Sequence, residues 1–202
     1  MYPSKKGPKL FPPPPSKLRF EKVELGARLE TVLGTDFLLA RQNTFHKMPA
    51  KFSIKTIVED YCNNPPTHME GAPITSVERD KLLVVAKAMI DYTDVMLEPK
   101  LLYRDEKVQF NEYKENSGDL KFRPSSHYGF VHLIRLVVNF PTFIIQPDWK
   151  QLDLENNQRG IEYFVKFLAT HCDKYYQGAE DYEGITMERF ASKVDEWSRV
   201  KR

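Results

Sequence analysis

The stretch that most constrains this chain runs from His127 to Pro141 and reads His-Tyr-Gly-Phe-Val-His-Leu-Ile-Arg-Leu-Val-Val-Asn-Phe-Pro. At about 3.6 residues per turn, its polar members Tyr128, His132, Arg135 and Asn139 fall on one narrow stripe of a helix that is otherwise apolar. A helix greasy on nearly all sides belongs inside a protein. Phe130, Leu133, Ile134, Val137 and Val138 should therefore form a central hub around which other helices pack. Gly129 would let a neighbouring backbone approach the helix start, and Pro141 marks its end, because proline disfavours helical geometry in the residue before it. Buried polar groups must be hydrogen-bonded, so Tyr128, His132 and Arg135 are read as a structural stripe, with Arg135 requiring an acidic or carbonyl partner.

Around this hub the pattern is helical almost throughout. From Leu29, positions Val32, Leu33, Phe37 and Leu38 follow helical spacing, with Gly34-Thr35-Asp36 a point of interruption. Ser53 caps a helix burying Ile54, Ile57, Val58 and Tyr61. Thr75 and Glu78 are spaced as a capping box for a helix reaching about Leu97 and ended by Pro99. Its buried face is Leu82, Val85, Ala86, Met89 and Met96, with Arg79, Lys81, Lys87 and Asp94 turned away. A short helix carries Phe110 and Tyr113. After Pro147, Asp148 would cap a long helix with the stripe Ile161, Phe164, Val165, Leu168 and Cys172, weak at Gly160. A last helix, Met187 to Trp197, buries Phe190, Val194 and Trp197. Leu18 to Leu25 reads as an edge strand anchored by Phe20 and Val23, and Phe45 to Met48 as a short extended piece. Segments 63–73, 115–126 and 173–185 read as loop or irregular chain. The expected fold is mainly α, built around a central buried helix, with a few short N-terminal β-strands. Residues 1–19 form a basic, proline-rich tail or linker of extended or disordered character, and 20–202 the helical domain.

Several function classes are disfavoured. A formal net charge of +2 is too small to select nucleic acid. The basic clusters of the tail and of Arg199, Lys201 and Arg202 lack interleaved aromatics or a reading module. Cys62 and Cys172 have no CxxC spacing, which leaves two reduced, buried thiols acting as small apolar groups. No apolar run approaches the roughly 20 residues of a membrane span, and no signal core precedes the domain, so an intracellular, soluble chain is expected. There is no glycine-rich phosphate loop, G-x-S-x-G elbow or H-E-x-x-H pair. His171 and Cys172 are adjacent and would diverge by about 100° on a helix. The expectation is a chain without catalytic residues, metal or cofactor.

Tyr128-Gly129 followed by His132-Leu133-Ile134-Arg135-Leu136 resembles the Tyr-Gly-x-x-His-Leu-x-Arg-Leu signature of the MRG domain, found in chromatin scaffold proteins that also carry a chromodomain. Arg41-Gln42 with Met48-Pro49-Ala50, Ile57 to Tyr61, and Met96-Leu97 with Leu101-Leu102-Tyr103 agree in order and spacing, over roughly residues 20 to 185. The resemblance implies a nuclear, non-catalytic docking platform. Its partners would be subunits of histone acetyltransferase, deacetylase and demethylase complexes presenting Phe-x-Leu-Pro type segments to a hydrophobic groove. Carried over residue by residue, the groove walls fall on Val32, Leu33, Tyr103 and Val138. Asp36 and Asn139 depart from the tryptophan and arginine common in the family. Glu59 or Asp60 become candidate partners of Arg135 by family position. Phe11 and Pro14 of the tail match the outer places of the ligand pattern, which implies a self-docking segment. The alternative is a histone- or nucleic-acid-contacting chromatin module, whose binding would weaken steeply with salt.

Overall fold

The computed structural model describes residues 20–118, 121–143 and 151–184. Its centre is helix α5, Phe130–Phe143, in which every residue from Phe130 to Val137 is buried. Burying an aliphatic side chain of this size is worth roughly 1.5–3 kcal/mol, so this one helix gives the rest of the chain a reason to gather. Helices α1 (Gly26–Ala40), α2 (Ile54–Asn63) and α3 (Ser76–Met96) pack on it, and α6 (Gln151–Thr170) packs on α3. Gly129 makes the entry to α5 feasible. A Cβ there would lie 2.7 Å from Ala50 Cβ and 2.9 Å from the Phe52 carbonyl. In its absence the Tyr128 carbonyl accepts from Ile54 N–H at 2.7 Å.

Local signals account for the helix starts. Ser53 Oγ accepts from Thr56 N–H at the head of α2. The Thr75–Glu78 capping box closes reciprocally at the head of α3. The interruption expected at Gly34-Thr35-Asp36 does not occur, and α1 runs through it. Pro99 does not stop the chain from turning. It sits inside a π-turn, Leu97–Leu101, closed by Leu102 N–H to the Leu97 carbonyl at 3.1 Å, a wider step that passes over the donorless proline. Pro141 likewise lies within α5. There the Asn139 amide donates to the Arg135 carbonyl and Thr142 Oγ1 to the Asn139 carbonyl, so side chains supply bonds in the turn the proline disturbs.

The strands are few and short. Residues 20–25 are not a strand, although Phe20 and Val23 do anchor the segment, Phe20 edge-on to Phe140. Among the described residues no strand pairs with it, and the segment packs through Val23 and Leu25 instead. β1 (Thr44–His46) pairs antiparallel with β4 (Tyr182–Gly184), Phe45 facing Glu183, so residues 173–184 are more regular than their sequence suggests. They also hold most of the short helix α7, Cys172–Tyr175. A two-residue hairpin, β2 (His68–Met69) and β3 (Ala72–Pro73), lies in the proline-rich loop. α4 (Glu106–Ser117) buries Phe110. The helix expected at Met187 to Trp197, the Asp148 cap and the tail with Phe11 and Pro14 lie outside the described residues.

Gly160 is no weak point. A Cβ there would stand 2.6 Å from Val85 Cγ2, so its missing side chain lets α6 lie close against α3. Lys81 also donates to Asn156, and since both contacts step along the two helices together, α3 and α6 run parallel. Asp94, expected to face away, is half-buried and accepts the Ser125 backbone N–H at 2.8 Å, tying the approach to α5 onto α3.

Candidate functional site

Arg135 lies two residues before the end of the buried run of α5, and its side chain is 6% exposed. Its partners are not Glu59 or Asp60. Asp60 serves Lys174 and Tyr175, and Glu59 lies near Lys55 on the surface. Nε and Nη2 donate to Asp36 Oδ2 at 2.9 and 2.7 Å. Nη1 donates to Glu106 Oε2 at 2.6 Å and to the Leu101 carbonyl at 3.1 Å, and Nη2 to Glu106 Oε1 at 3.0 Å. All five N–H groups of a guanidinium are thereby used. The Tyr103 ring covers the cation at 4.0 Å, a cation–π contact of the kind that strengthens on desolvation.

The two carboxylates arrive from different directions. Asp36 comes from the last turns of α1 and is 1% exposed. Its Oδ2 also accepts from the Tyr103 hydroxyl at 3.2 Å, and its Oδ1 from the Tyr182 hydroxyl of β4 at 3.1 Å. Glu106, in the first turn of α4, accepts the Tyr103 backbone N–H at 2.7 Å. Burial alone would raise the Glu106 carboxyl, but the Arg135 charge beside it outweighs burial and holds it down at about 2. Burial opposes the charged form of Arg135, yet Glu106 and Asp36 raise it above the ordinary arginine value. Burial, and then the neighbouring Asp36 against the opposing pull of Arg135, push the Tyr103 phenol up to about 12.

His132 continues the stripe. Its Nε2 lies 3.4 Å from Glu106 Oε1, but neither ring nitrogen completes a hydrogen bond among the described residues. Tyr128, whose ring stands edge-on to His132, also has a buried hydroxyl without a partner there. His46 of β1 packs 6.0 Å from His132, ring centre to ring centre, and its Nδ1 donates to the Lys47 carbonyl. Burial lowers both histidines, with Arg135 adding to the effect at His132 and His132 adding to it at His46. Burial thus favours the neutral form of both rings.

Above this network lies a groove of about 250 Å³ lined by Leu33 of α1, the Lys100–Tyr103 segment, and Arg135, Val138 and Asn139 of α5. A volume this small suits a few side chains rather than a whole drug-sized molecule. Of the six groove positions expected from the sequence, Leu33, Tyr103, Val138 and Asn139 come together here. Val32 belongs to the core, and Asp36 lies beneath the groove, on its supporting ion pair. Val138 is 39% exposed and Phe37, whose ring meets Tyr103 edge-on, 47% exposed, so apolar surface continues beyond the groove along α1. Sequence reading missed Lys100, Leu101 and Leu102 as lining residues, and Glu106 and Tyr182 as supports. The one available signal was the need of a buried arginine for carboxylates, which names a residue type but no position.

A family model described as MRG matches residues 15–184. The chain is 26% identical over 193 residues to mortality factor related protein 1 of Caenorhabditis elegans, covering 82% of this chain and 57% of that protein. It is 28% identical over 163 residues to mortality factor 4-like protein 1 of Homo sapiens, covering 80% of this chain and 43% of that one. It is 25% identical over 157 residues to the NuA4 complex subunit EAF3 homolog of Drosophila melanogaster, covering 77% of this chain and 36% of that protein. The chain therefore corresponds to a part of each of these relatives.

Proposed function

The chain belongs to the MRG family, and from that premise we propose that it is a non-catalytic docking module which recruits subunits of nuclear chromatin-modifying complexes through the groove between α1, the Lys100–Tyr103 segment and α5. The name of the Drosophila relative, a NuA4 complex subunit homolog, supports a place in histone acetyltransferase assemblies. Deacetylase and demethylase subunits are further partners of the same kind. The occupant is an extended Phe-x-Leu-Pro type segment, whose few apolar anchors carry most of the binding energy.

The observation that carries this reading is the state of Arg135. With all five N–H groups committed to Asp36, Glu106 and Leu101, the cation at the groove floor has no donor left for a ligand carboxylate or phosphate. What remains is mostly apolar wall, Leu33, Leu101, Leu102, the Tyr103 ring and Val138, with Lys100 and Asn139 as its other polar members. Such a surface selects side chains by shape and hydrophobicity rather than by charge.

Fluorescent Phe-x-Leu-Pro peptide, titrated at low and high salt, tests this. Binding is expected in the micromolar range, little changed by salt, and weakened at least about tenfold in Val138→Asp, which places a charge in an apolar contact. Steep salt dependence would instead favour the histone- or nucleic-acid-contacting module. The chain's own Phe11 and Pro14 act in this reading as a placeholder for the partner. Removing residues 1–16 is then expected to tighten peptide binding, and unchanged affinity would dismiss the placeholder while leaving the groove intact.

A further inference from the structure

We infer that Asp36 and Tyr182 are positioning residues for the groove, and that strand β4 works as a strap setting the Tyr103 wall from the side away from the ligand. The consequence for ligand affinity rests on the docking reading above, whereas the coupling between strap and wall does not.

The argument starts from how the four donors are shared on the Asp36 carboxylate. Oδ2 takes three of them, Arg135 Nε, Arg135 Nη2 and the Tyr103 hydroxyl. Oδ1 takes the Tyr182 hydroxyl alone among the described residues. Asp36 is 1% exposed, so without Tyr182 an anionic oxygen would be left buried with no donor, a state that costs more than the hydrogen bond itself is worth. The carboxylate would then rotate to bring Oδ1 toward its remaining donors, Tyr103 and Arg135. Both of these line the groove. The Tyr103 side chain is held by members of this junction, its ring on the Arg135 guanidinium and edge-on to Phe37 and its hydroxyl on Asp36, while its backbone N–H donates to Glu106 Oε2.

Tyr182 is held in turn by the ribbon. Its backbone pairs with His46, its ring meets His46 at 5.5 Å, and the ribbon is fastened by Lys47 N–H to the Asp181 carbonyl at 2.8 Å and Lys47 Nζ to the Glu180 carbonyl at 2.6 Å. A three-residue pair of strands is weak by itself, so its attachment to the domain depends on such side-chain contacts. Whatever loosens the ribbon at His46 or Lys47 should therefore loosen the Tyr103 wall. A ligand that fixes Tyr103 should conversely fasten β4, because linkage between two sites is reciprocal.

Amide hydrogen exchange on the full chain tests the coupling without any ligand. In Tyr182→Phe, which keeps the ring and removes only the hydroxyl, the Leu102 and Tyr103 amides are expected to exchange at least about fivefold faster, the equivalent of one net hydrogen bond. The Ile161–Leu168 amides of α6 should be unchanged. Equal exchange at Leu102 and Tyr103, or acceleration spread evenly over the chain, would overturn the inference. Asp36→Asn, which keeps an acceptor for Tyr182 but weakens the hold on Arg135 and Tyr103, should loosen the same two amides. Peptide titration adds the functional arm, with a loss of about fivefold in Tyr182→Phe. A parent protein that binds no peptide would remove the docking reading, while the exchange result would still decide the coupling.

Discussion

The seam between α3 and α6 and the junction around Arg135 hold one domain together by opposite means. At the seam, Val85, Ala86 and Met89 share an apolar core with Ile161, Phe164 and Leu168, and Gly160 brings the helices close enough for Val85 to fill the space of a missing side chain. At the junction, α1, α4, α5 and β4 meet on two carboxylates and one guanidinium. Apolar attraction is non-directional and scales with area, so the buried part of the seam is sensitive to volume, and the charged contact across it, Lys81 to Asn156, lies at the exposed edge. The junction is sensitive to charge and to the identity of each donor, because a buried ion survives only while its partners remain. The groove lies over the second kind of contact, so its walls are placed by directional bonds instead of by close packing alone.

The largest expected effect separates the two directly. Arg135→Met keeps volume but strands Asp36 and Glu106 as buried anions, and should cost about 3–5 kcal/mol in chemical denaturation. Replacing all three members by apolar residues should recover much of that loss. A triple variant no better than the single one would mean that packing, not uncompensated charge, governs this junction. At the seam, Gly160→Ala adds one methyl group against Val85 and should cost about 1–3 kcal/mol although alanine is the better helix former. Val85→Ala in the same chain should then be less harmful than alone, a coupling that a double-mutant cycle reads.

Acid should distinguish the two regions next. His46 and His132 have lowered values in the fold, so below about pH 6.5 the unfolded chain takes up protons that the folded chain does not, and stability falls as pH falls. Each such group contributes at most about 1.4 kcal/mol per pH unit. Glu106 acts lower down, its contribution being complete above its ordinary value of 4.5 and lost as pH drops toward about 2. Denaturation midpoints measured from pH 7.5 to 4 should show the upper limb reduced in His46→Gln. A flat profile over that range would mean that the two rings take up protons within the fold as readily as outside it.

The contrast also explains what the sequence could reveal. Caps are local, so Ser53 and the Thr75–Glu78 box were readable from three-residue spacings, and Gly129 from its place before an apolar run. The need of Arg135 for a carboxylate was equally legible, but its partner Asp36 stands 99 residues away and periodicity carries no information over that distance. Gly160 was misjudged because helix propensity counts the glycine's cost and is blind to Val85 across the seam. β4 has three residues and pairs with a strand from the other end of the chain, too short for any pattern. Leu33, Tyr103 and Val138 were named through family resemblance, whereas the Lys100–Leu102 lining depends on a π-turn that Pro99 seemed to forbid.

The smallest expected effect is also the most discriminating, because it asks two tyrosines the same question. Tyr61 of α2 packs edge-on to Phe164 and Phe167, each at 5.1 Å, and its buried hydroxyl has no hydrogen-bond partner among the described residues. Burial pushes its phenol above the ordinary value. Tyr182 of β4 is buried as well, but its hydroxyl donates to Asp36. Removing an unpaired buried hydroxyl relieves a desolvation cost, while removing a paired one strands its acceptor. Tyr61→Phe should therefore be neutral or stabilising by up to about 1 kcal/mol, and Tyr182→Phe destabilising by about 1 kcal/mol or somewhat more. If Tyr61→Phe proved the costlier of the two in urea denaturation, the apolar packing of α2 against α6 would contain a polar tie of its own, and the division between packed and bonded regions would fail at the residue where it is easiest to test.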